Sequence, residues 1–437
     1  MRRNIDIELE RWKDSDRRKP LLVRGARQVG KSYSLAEFGR SHFESFVTVD
    51  LEKKPHLHRV FSGDLDARRI VGDLEVEAGA RIEPGKTLLF LDEIQACPRA
   101  VTALRYLHEE IPGLHVAAAG SLLELAMGEA AFPVGRLQML EMRPMSFDEF
   151  VQALGNGKAA EILRSPPRAL SETVHGTLLD LLRTYCFVGG MPESVADYAE
   201  HRSLQRCLEI LDGLKETIRQ DFPRYAARAN VACLGAVLES APGFVSQQIK
   251  YTRLTDCGTG PTVKKAFDLL ERARLVTRVR ASGAGGLPLG AGVSANRFKA
   301  ILLDVGLWQR LAGVRADRDF AAADLLDIHR GAMAEQFVGQ EVLAARGGDL
   351  HYWSRETPGS QAEVDYLIEV EGDIYGVEVK SGASGRLRSL HLLLSEHPNV
   401  KGGMVFSSRP YEELPAQRLT FLPIYYAGTA VREHRGT

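Results

Sequence analysis

Short apolar runs alternate with amphipathic stretches over the first 125 or so residues of this 437-residue chain. Four of them have strand length: Pro20-Leu21-Leu22-Val23, Phe46-Val47-Thr48-Val49, Thr87-Leu88-Leu89-Phe90-Leu91 and His115-Val116-Ala117-Ala118-Ala119. Strands that read as nearly continuous apolar runs are covered on both faces, so the pattern predicts an α/β domain around a mostly parallel sheet. From about residue 145 to 275 the periodicity becomes that of helices. Gly, Ser and Pro concentrate at 281–295, which reads as a loop or wing. The last hundred residues return to strands, at His351-Tyr352-Trp353, 363–370, 374–380 and around Met404-Val405-Phe406.

The length is too great for one hydrophobic core, so two to four domains are expected. Lys and Arg number 56 against 57 Asp and Glu, so no global positive field recruits nucleic acid and any such contact must use a local patch. The five cysteines (Cys97, Cys186, Cys207, Cys233, Cys257) form no CxxC pair and read as reduced thiols. The first twenty residues are charged throughout and lack the apolar centre of a signal peptide, and no apolar run reaches 18 residues. A cytoplasmic protein with no membrane span is expected.

Residues 25–32 read Gly-Ala-Arg-Gln-Val-Gly-Lys-Ser, a complete GxxxxGK[ST] between a strand and an amphipathic segment. Glycines at Gly25 and Gly30 let backbone N–H groups converge on phosphate oxygens, and the helix N-terminus adds partial positive charge. Lys31 is expected to reach the β- and γ-phosphates of ATP, and the Ser32 hydroxyl to ligate Mg²⁺. The nucleotide-binding segment comprises Gly25, Ala26, Arg27, Gln28, Val29, Gly30, Lys31, Ser32 and Tyr33. About 60 residues on, the run Thr87–Leu91 ends in Asp92-Glu93. Asp92 is expected to hold the magnesium through water, and Glu93 to polarise the attacking water. Ser121, after the next strand, is either a γ-phosphate sensor or a helix N-cap.

The chain resembles bacterial and archaeal AAA-type ATPases that carry a C-terminal domain of unknown function. The likeness spans nearly the whole sequence. It rests on Leu21–Ser32, Leu89–Gln95, Gly135-Arg136 with Arg143–Phe150, Val188–Glu193, Leu303–Leu307 and Glu363–Lys380. In similar enzymes an arginine finger completes the site, often from a neighbouring subunit. That implies a homo-oligomer and makes Arg136 the candidate, with a structural salt bridge as its alternative.

Residues 231–280 read as a winged helix-turn-helix. Val263, Ala266, Phe267 and Leu270 fall on one helical face. Leu275–Arg280 then alternates like a wing strand, and Lys264, Lys265, Arg272, Arg274, Arg278 and Arg280 give local basic density for phosphates of DNA or RNA. The alternative is a solvated helix on a structural wing. Few aromatics interleave these residues, so base stacking finds no support.

In the last stretch, a two-residue hairpin at Glu371-Gly372 sets a register by parity. It places Val364, Tyr366, Ile368 and Val370 on one apolar face with Tyr375, Val377 and Val379. On the other face Asp365 stands across from Glu378, and Glu363 across from Lys380. Opposed like charges cost about 0.2–1 kcal/mol unless neutralised, and a divalent cation would neutralise them. Glu335, in helical phase with Gly331, Val338, Val342 and Ala345, supplies a third carboxylate on an apolar stripe. Glu335, Asp365, Glu378 and Lys380 together resemble the PD-(D/E)XK nuclease fold. That implies Mg²⁺ held by Glu335, Asp365 and Glu378, and a lysine, Lys380, that positions water. A charged hairpin closed by a Glu363–Lys380 pair is the alternative.

The expected α/β architecture is an AAA-type P-loop core over 1–148, a helical lid or linker over 149–228, a winged helix-turn-helix over 229–312 and a nuclease-like domain over 313–437. The leading function is ATP hydrolysis coupled to a nucleic-acid-facing module. A nucleotide-dependent protein-assembly switch with a silent nuclease-like fold is the other reading.

Overall fold

The four N-terminal apolar runs are strands whose ends lie within one residue of those expected. In the computed structural model, which describes residues 1–121, 135–225, 230–314, 331–357, 360–380 and 387–432, they are β1 (Leu21–Arg24), β2 (Ser45–Asp50), β3 (Thr87–Asp92) and β4 (His115–Gly120). A fifth strand, β5 (Gln138–Glu141), had no counterpart in the apolar pattern because it is short and only partly buried. The sheet is parallel throughout, in the order β2-β3-β4-β1-β5.

Helices α1 (Ile5–Asp14), α2 (Lys31–His42), α3 (Ala67–Ala78) and α4 (Pro98–Glu110) accompany it. Leu22, Val47, Leu89 and Val116 form one core with Ile70 and Leu74 of α3 and Ala100 and Leu104 of α4. Their strand neighbours Leu21, Leu88 and Phe90, on the opposite face, are equally buried. Burial on both faces explains why these strands carry no polar alternation. Since β1 lies between β4 and β5 and beside β3's partner, the carboxyl ends of β1, β3 and β4 share one edge.

The described residues group into two compact units: Met1–Arg143 with Arg272–Arg274, and Pro144–Glu271 with Leu275–Thr437. The second unit begins with α5 (Phe147–Ala153), α6 (Gly157–Arg164), α7 (Glu172–Val188), α8 (Pro192–His201), α9 (Leu204–Gln220) and α10 (Val231–Ser240). The short α11 (Tyr251–Leu254) and α12 (Gly260–Arg272) follow, then β6 (Val276–Ser282), β7 (Val293–Leu302) and α13 (Val305–Leu311). Val263, Ala266, Phe267 and Leu270 of α12 are all buried.

The remainder is α14 (Ala332–Arg346), β8 (Leu350–Thr357), β9 (Ser360–Val370), β10 (Asp373–Val379), α15 (Arg388–Glu396), β11 (Val400–Ser407), β12 (Glu412–Leu414) and β13 (Leu419–Pro423). Strands β6 to β13 make one mixed sheet, ordered β12-β13-β11-β10-β9-β8-β6-β7. The boundary expected at 312/313 is therefore crossed by a continuous sheet, because β6 pairs with β8.

Two of the quoted sequence stretches, Val188–Glu193 and Leu303–Leu307, meet inside this unit. Asp304 caps α13, accepting from Leu307 N at 3.0 Å, and also accepts from Gly190 N at 2.6 Å. A Cβ on Gly306 would lie 2.8 Å from Gly189 Cα, and one on Gly190 would lie 2.1 Å from Met145 O. Only glycine allows that approach.

The hairpin register matches its expected form as far as the ladder runs, from Val370–Asp373 to Tyr366–Val377. Glu371 (φ +52°) and Gly372 (φ +84°) both occupy the left-handed region that a two-residue hairpin loop requires. The face assignment beyond that point was wrong. Val364 to Leu367 of β9 spans three steps against two from Trp353 to His351 of β8, so β9 carries a bulge. The extra residue turns Val364 toward α15, where it joins Leu390 and Leu393 in the core. Tyr366 stays on the α14 side, its hydroxyl donating to Glu335 O at 2.8 Å. Parity fails wherever a strand contains a bulge.

The reading of all five cysteines as reduced also needs correcting. Cys233 of α10 and Cys257, ahead of α12, are joined in a disulfide with Cα atoms 5.2 Å apart. Their 24-residue separation carried no motif. Cys97, Cys186 and Cys207 are free and buried.

Candidate functional site

The loop from Gly25 to Gly30 turns the end of β1 into the start of α2. Gly25 is required by a close approach, since a Cβ there would lie 2.2 Å from Met142 O. Gln28 (φ +63°) and Gly30 (φ +95°) take left-handed conformations, which curl the loop tightly between β1 and α2. Ala26 and Val29 are buried, so they contribute backbone groups and packing. Tyr33, on the first turn of α2, is 59% exposed. It stands at the lip of a cavity of about 370 Å³ lined also by Met1, Arg2, Asp6, Glu37 and Phe38.

Lys31 is buried, its Nζ donating to Ala26 O at 2.7 Å and Gly25 O at 3.2 Å. The ammonium thus sits at the centre of the loop, held by carbonyls it can leave for a better acceptor. Burial lowers its pKa to about 8, the carboxylates of Glu93 and Asp92 offsetting part of that shift. Below pH 8 the free protein carries the charge; above it the charge is lost. Affinity for Mg·ATP should therefore fall as pH rises from 8 to 9.5, approaching about ten-fold per unit. Titration with a fluorescent ATP analogue checks this; flat affinity over that range would count against it.

Ser32 Oγ donates to Asp92 Oδ1 at 2.9 Å, and Glu93 N donates to the same oxygen at 3.0 Å. Burial raises the Asp92 carboxyl above its ordinary range. A hydroxyl and a carboxylate from two separate elements therefore converge beside the loop, a donor set of the oxygen type that Mg²⁺ takes together with phosphate oxygens. Ser121, at the carboxyl end of β4, is buried and its Oγ meets no hydrogen-bond partner among the described residues. That orphaned hydroxyl on the same sheet edge fits an incoming phosphate oxygen. Arg136 is half exposed and pairs with Glu109 at 2.9 Å.

One supporting residue escaped sequence reasoning. Arg3 is buried and donates to Val29 O at 3.1 Å and Arg143 O at 2.8 Å, tying the phosphate loop to the strand-end segment that backs it. A single arginine in a uniformly charged N-terminus gave no signal.

The second cluster lies in the C-terminal sheet and contains a lysine that sequence reading left out. Lys299 of β7 projects into the carboxylates, its Nζ 2.7 Å from Glu335 Oε1, 2.8 Å from Glu363 Oε1 and 3.9 Å from Asp365 Oδ1. It lies 5.0 Å from the Tyr352 ring centroid, and only 1% of its side chain is exposed. Burial disfavours the ammonium, but Glu335, Asp365 and Glu363 outweigh it and hold Lys299 charged. Burial also pushes the Glu335 carboxyl upward, against the pull of Lys299.

Asp365 Oδ2 accepts from Val379 N at 2.7 Å. Lys380 pairs with Glu378 at 2.5 Å, so the Glu363–Lys380 pair does not form. Among the described residues no three His, Cys, Asp or Glu side chains are arranged to hold a metal ion. The protein's own cation, Lys299, thus stands among Glu335, Glu363 and Asp365.

The basic residues of the middle segment are largely neutralised. Lys264 pairs with Asp268 at 2.7 Å, and Arg278 is enclosed by Asp268, Glu271 and the Phe267 ring. Arg280 approaches Glu271 and Asp349 at 3.9 and 3.8 Å. Lys265 and Arg272 are exposed. No described helix is long and apolar enough to cross a membrane.

Residues 17–151 match the family model of AAA domains. Residues 179–318 and 330–426 match two domains of unknown function, DUF8612 and DUF4143. No curated protein matches the chain. Among solved structures, the ORC1 protein of Aeropyrum pernix in complex with DNA is 13% identical, with 73% of this chain and 94% of that chain covered and a TM-score of 0.30. Drosophila ORC bound to DNA is 13% identical, with coverage of 68% and 90% and a TM-score of 0.26. C. elegans PCH-2 is 15% identical, with coverage of 45% and 60% and a TM-score of 0.24. Likeness at that level does not extend to function. The parallel sheet, the loop from Gly25 to Ser32 and the family match together make residues 17–151 an AAA-type P-loop domain.

Proposed function

We propose that this protein binds ATP with magnesium at the Gly25–Ser32 loop and hydrolyses it. The observation that carries this reading is the convergence of a buried Lys31 ammonium with the Ser32–Asp92 pair on one edge of a parallel sheet. Backbone amides of the loop bind the phosphates. Lys31 exchanges the carbonyls of Gly25 and Ala26 for β- and γ-phosphate oxygens. Ser32 and Asp92 would hold Mg²⁺, which when bound neutralises charge building on the phosphates. Glu93 orients the attacking water, and Ser121 donates to the γ-phosphate. The cavity beside Tyr33 receives the base and ribose.

Calorimetric titration with Mg·ATP, followed by phosphate-release kinetics, tests the reading. Wild type should bind and turn over. Glu93→Gln should keep its affinity while turnover falls about 10²- to 10⁴-fold, the usual contribution of a proton acceptor. Absence of saturable binding by folded wild type would remove the proposal.

For the C-terminal sheet we favour the reading in which nucleotide binding drives assembly or movement and nothing is cut. The position of Lys299 supports it, because the carboxylates already have their counter-ion. Cleavage of DNA or RNA by wild type that disappears in Asp365→Ala would overturn it.

A further inference from the structure

One polar side chain outside the phosphate loop, Gln95, reaches the Glu93 carboxylate. Gln95 lies two residues on, in the 3-10 turn Ile94–Ala96, and its Nε2 donates to Glu93 Oε2. The opposite end of the same amide, Oε1, is buried and meets no hydrogen-bond partner among the described residues. Buried amide oxygens are rarely left in that condition, because desolvation is then uncompensated. The turn that carries the amide is well anchored: Ile94 is fully buried, and Glu93 itself takes φ +48°, a conformation that a non-glycine residue keeps only when its surroundings hold it. One end of the amide therefore grips the carboxylate, and the other is a buried oxygen left unpaired beside it.

We infer that Gln95 is a second water-orienting residue for hydrolysis at this loop. The inference rests on the ATPase reading and deepens it. Nε2 fixes the Glu93 carboxylate, and Oε1 accepts one hydrogen of the attacking water while Glu93 accepts the other. With both hydrogens engaged, a lone pair of the water oxygen is directed at the γ-phosphorus. That oxygen bonds to phosphorus as the bond from phosphorus to the β,γ-bridging oxygen breaks. The electron pair leaves with ADP, the water proton passes to Glu93, and the products are ADP and inorganic phosphate. Asp92 and Ser32, already bonded to each other, take no part in holding the water.

The test uses the full chain carrying Gln95→Met, which keeps the length of the side chain, and Gln95→Glu, which keeps its shape but loses the donor. Mg·ATP affinity, kcat, and affinity for ADP with tetrafluoroaluminate are measured for each. Affinity for Mg·ATP should stay within about two-fold of wild type, while kcat falls about ten- to hundred-fold, as misplacement of a reacting group predicts. Affinity for the fluoroaluminate complex should fall by a similar factor, because it mimics the state in which the water is held. Adding Gln95→Met to Glu93→Gln should cost little more than Glu93→Gln alone, since both act on one water.

A kcat within about two-fold of wild type overturns the inference; so does a loss of kcat matched by an equal loss of Mg·ATP affinity, which would mark a merely structural role. If wild type itself neither binds nor hydrolyses Mg·ATP, the reading of the loop fails and this inference falls with it. Active wild type with unaffected Gln95 variants removes only the role of Gln95.

Discussion

Replacement of Lys31 by alanine is expected to reduce ATP turnover by about a thousand-fold or more while leaving the fold intact. The ammonium is placed between the carbonyls of Gly25 and Ala26, and a preorganised charge aimed at a developing anion is worth about 10²- to 10³-fold in such sites. Loss of ground-state phosphate binding adds to that factor, so both kcat and affinity should fall. The structural cost is small, since Gly25 O and Ala26 O would then accept from water entering the loop. Phosphate release and thermal melting, measured on the same preparation, separate the two effects. Retention of a tenth of wild-type turnover would mean that the phosphates are held elsewhere.

Lys299→Met should be the most destabilising single change in the C-terminal sheet. Removing one partner of a buried ion pair costs about 3–5 kcal/mol, because the remaining charge has lost its water and its counter-ion. Here Glu335, Glu363 and Asp365 all depend on the same ammonium. The sign with pH follows from the raised Glu335 carboxyl. A group whose folded pKa lies above its unfolded value contributes its stability at low pH and loses it as pH rises through the folded value. Without Lys299 that carboxyl rises further, so the variant should be least impaired near pH 5 and most impaired near pH 8. Urea denaturation at both values checks this, and Glu335→Gln should recover part of the loss. A deficit below about 1 kcal/mol at pH 8 would show that the cluster is neutralised some other way, a bound divalent ion being the first alternative to test.

The phosphate site was legible because its chemistry dictates residue type at fixed spacing. Gly25 has no room for a Cβ, and Gly30 needs a left-handed turn; Lys31, Ser32 and Asp92 bring an ammonium, a hydroxyl and a carboxylate to that turn. The strands were legible because two-sided burial leaves no polar positions in them. By contrast, the bulge in β9 has no marker in its residues, so alternation placed Val364 on the wrong face. Lys299 did leave a trace: it stands alone between Phe298 and the apolar Ala300-Ile301-Leu302-Leu303, and a lysine in such a run needs buried acids. The carboxylates were grouped without asking which basic residue the strands bring to them, and so Lys299 was left out of the cluster. Gln95 was quoted as part of a resemblance, but its bond to Glu93 depends on a turn that only the folded backbone reveals.

The pairing of β6 with β8 joins stretches that match two different families. Hydrogen bonds and a shared lysine thus stitch together stretches that two separate family models describe. Exchanging residues 179–318 alone would strip a neighbour from β8 and a counter-charge from Glu335. A replacement for that stretch would have to bring both a border strand for β8 and a cation for Glu335.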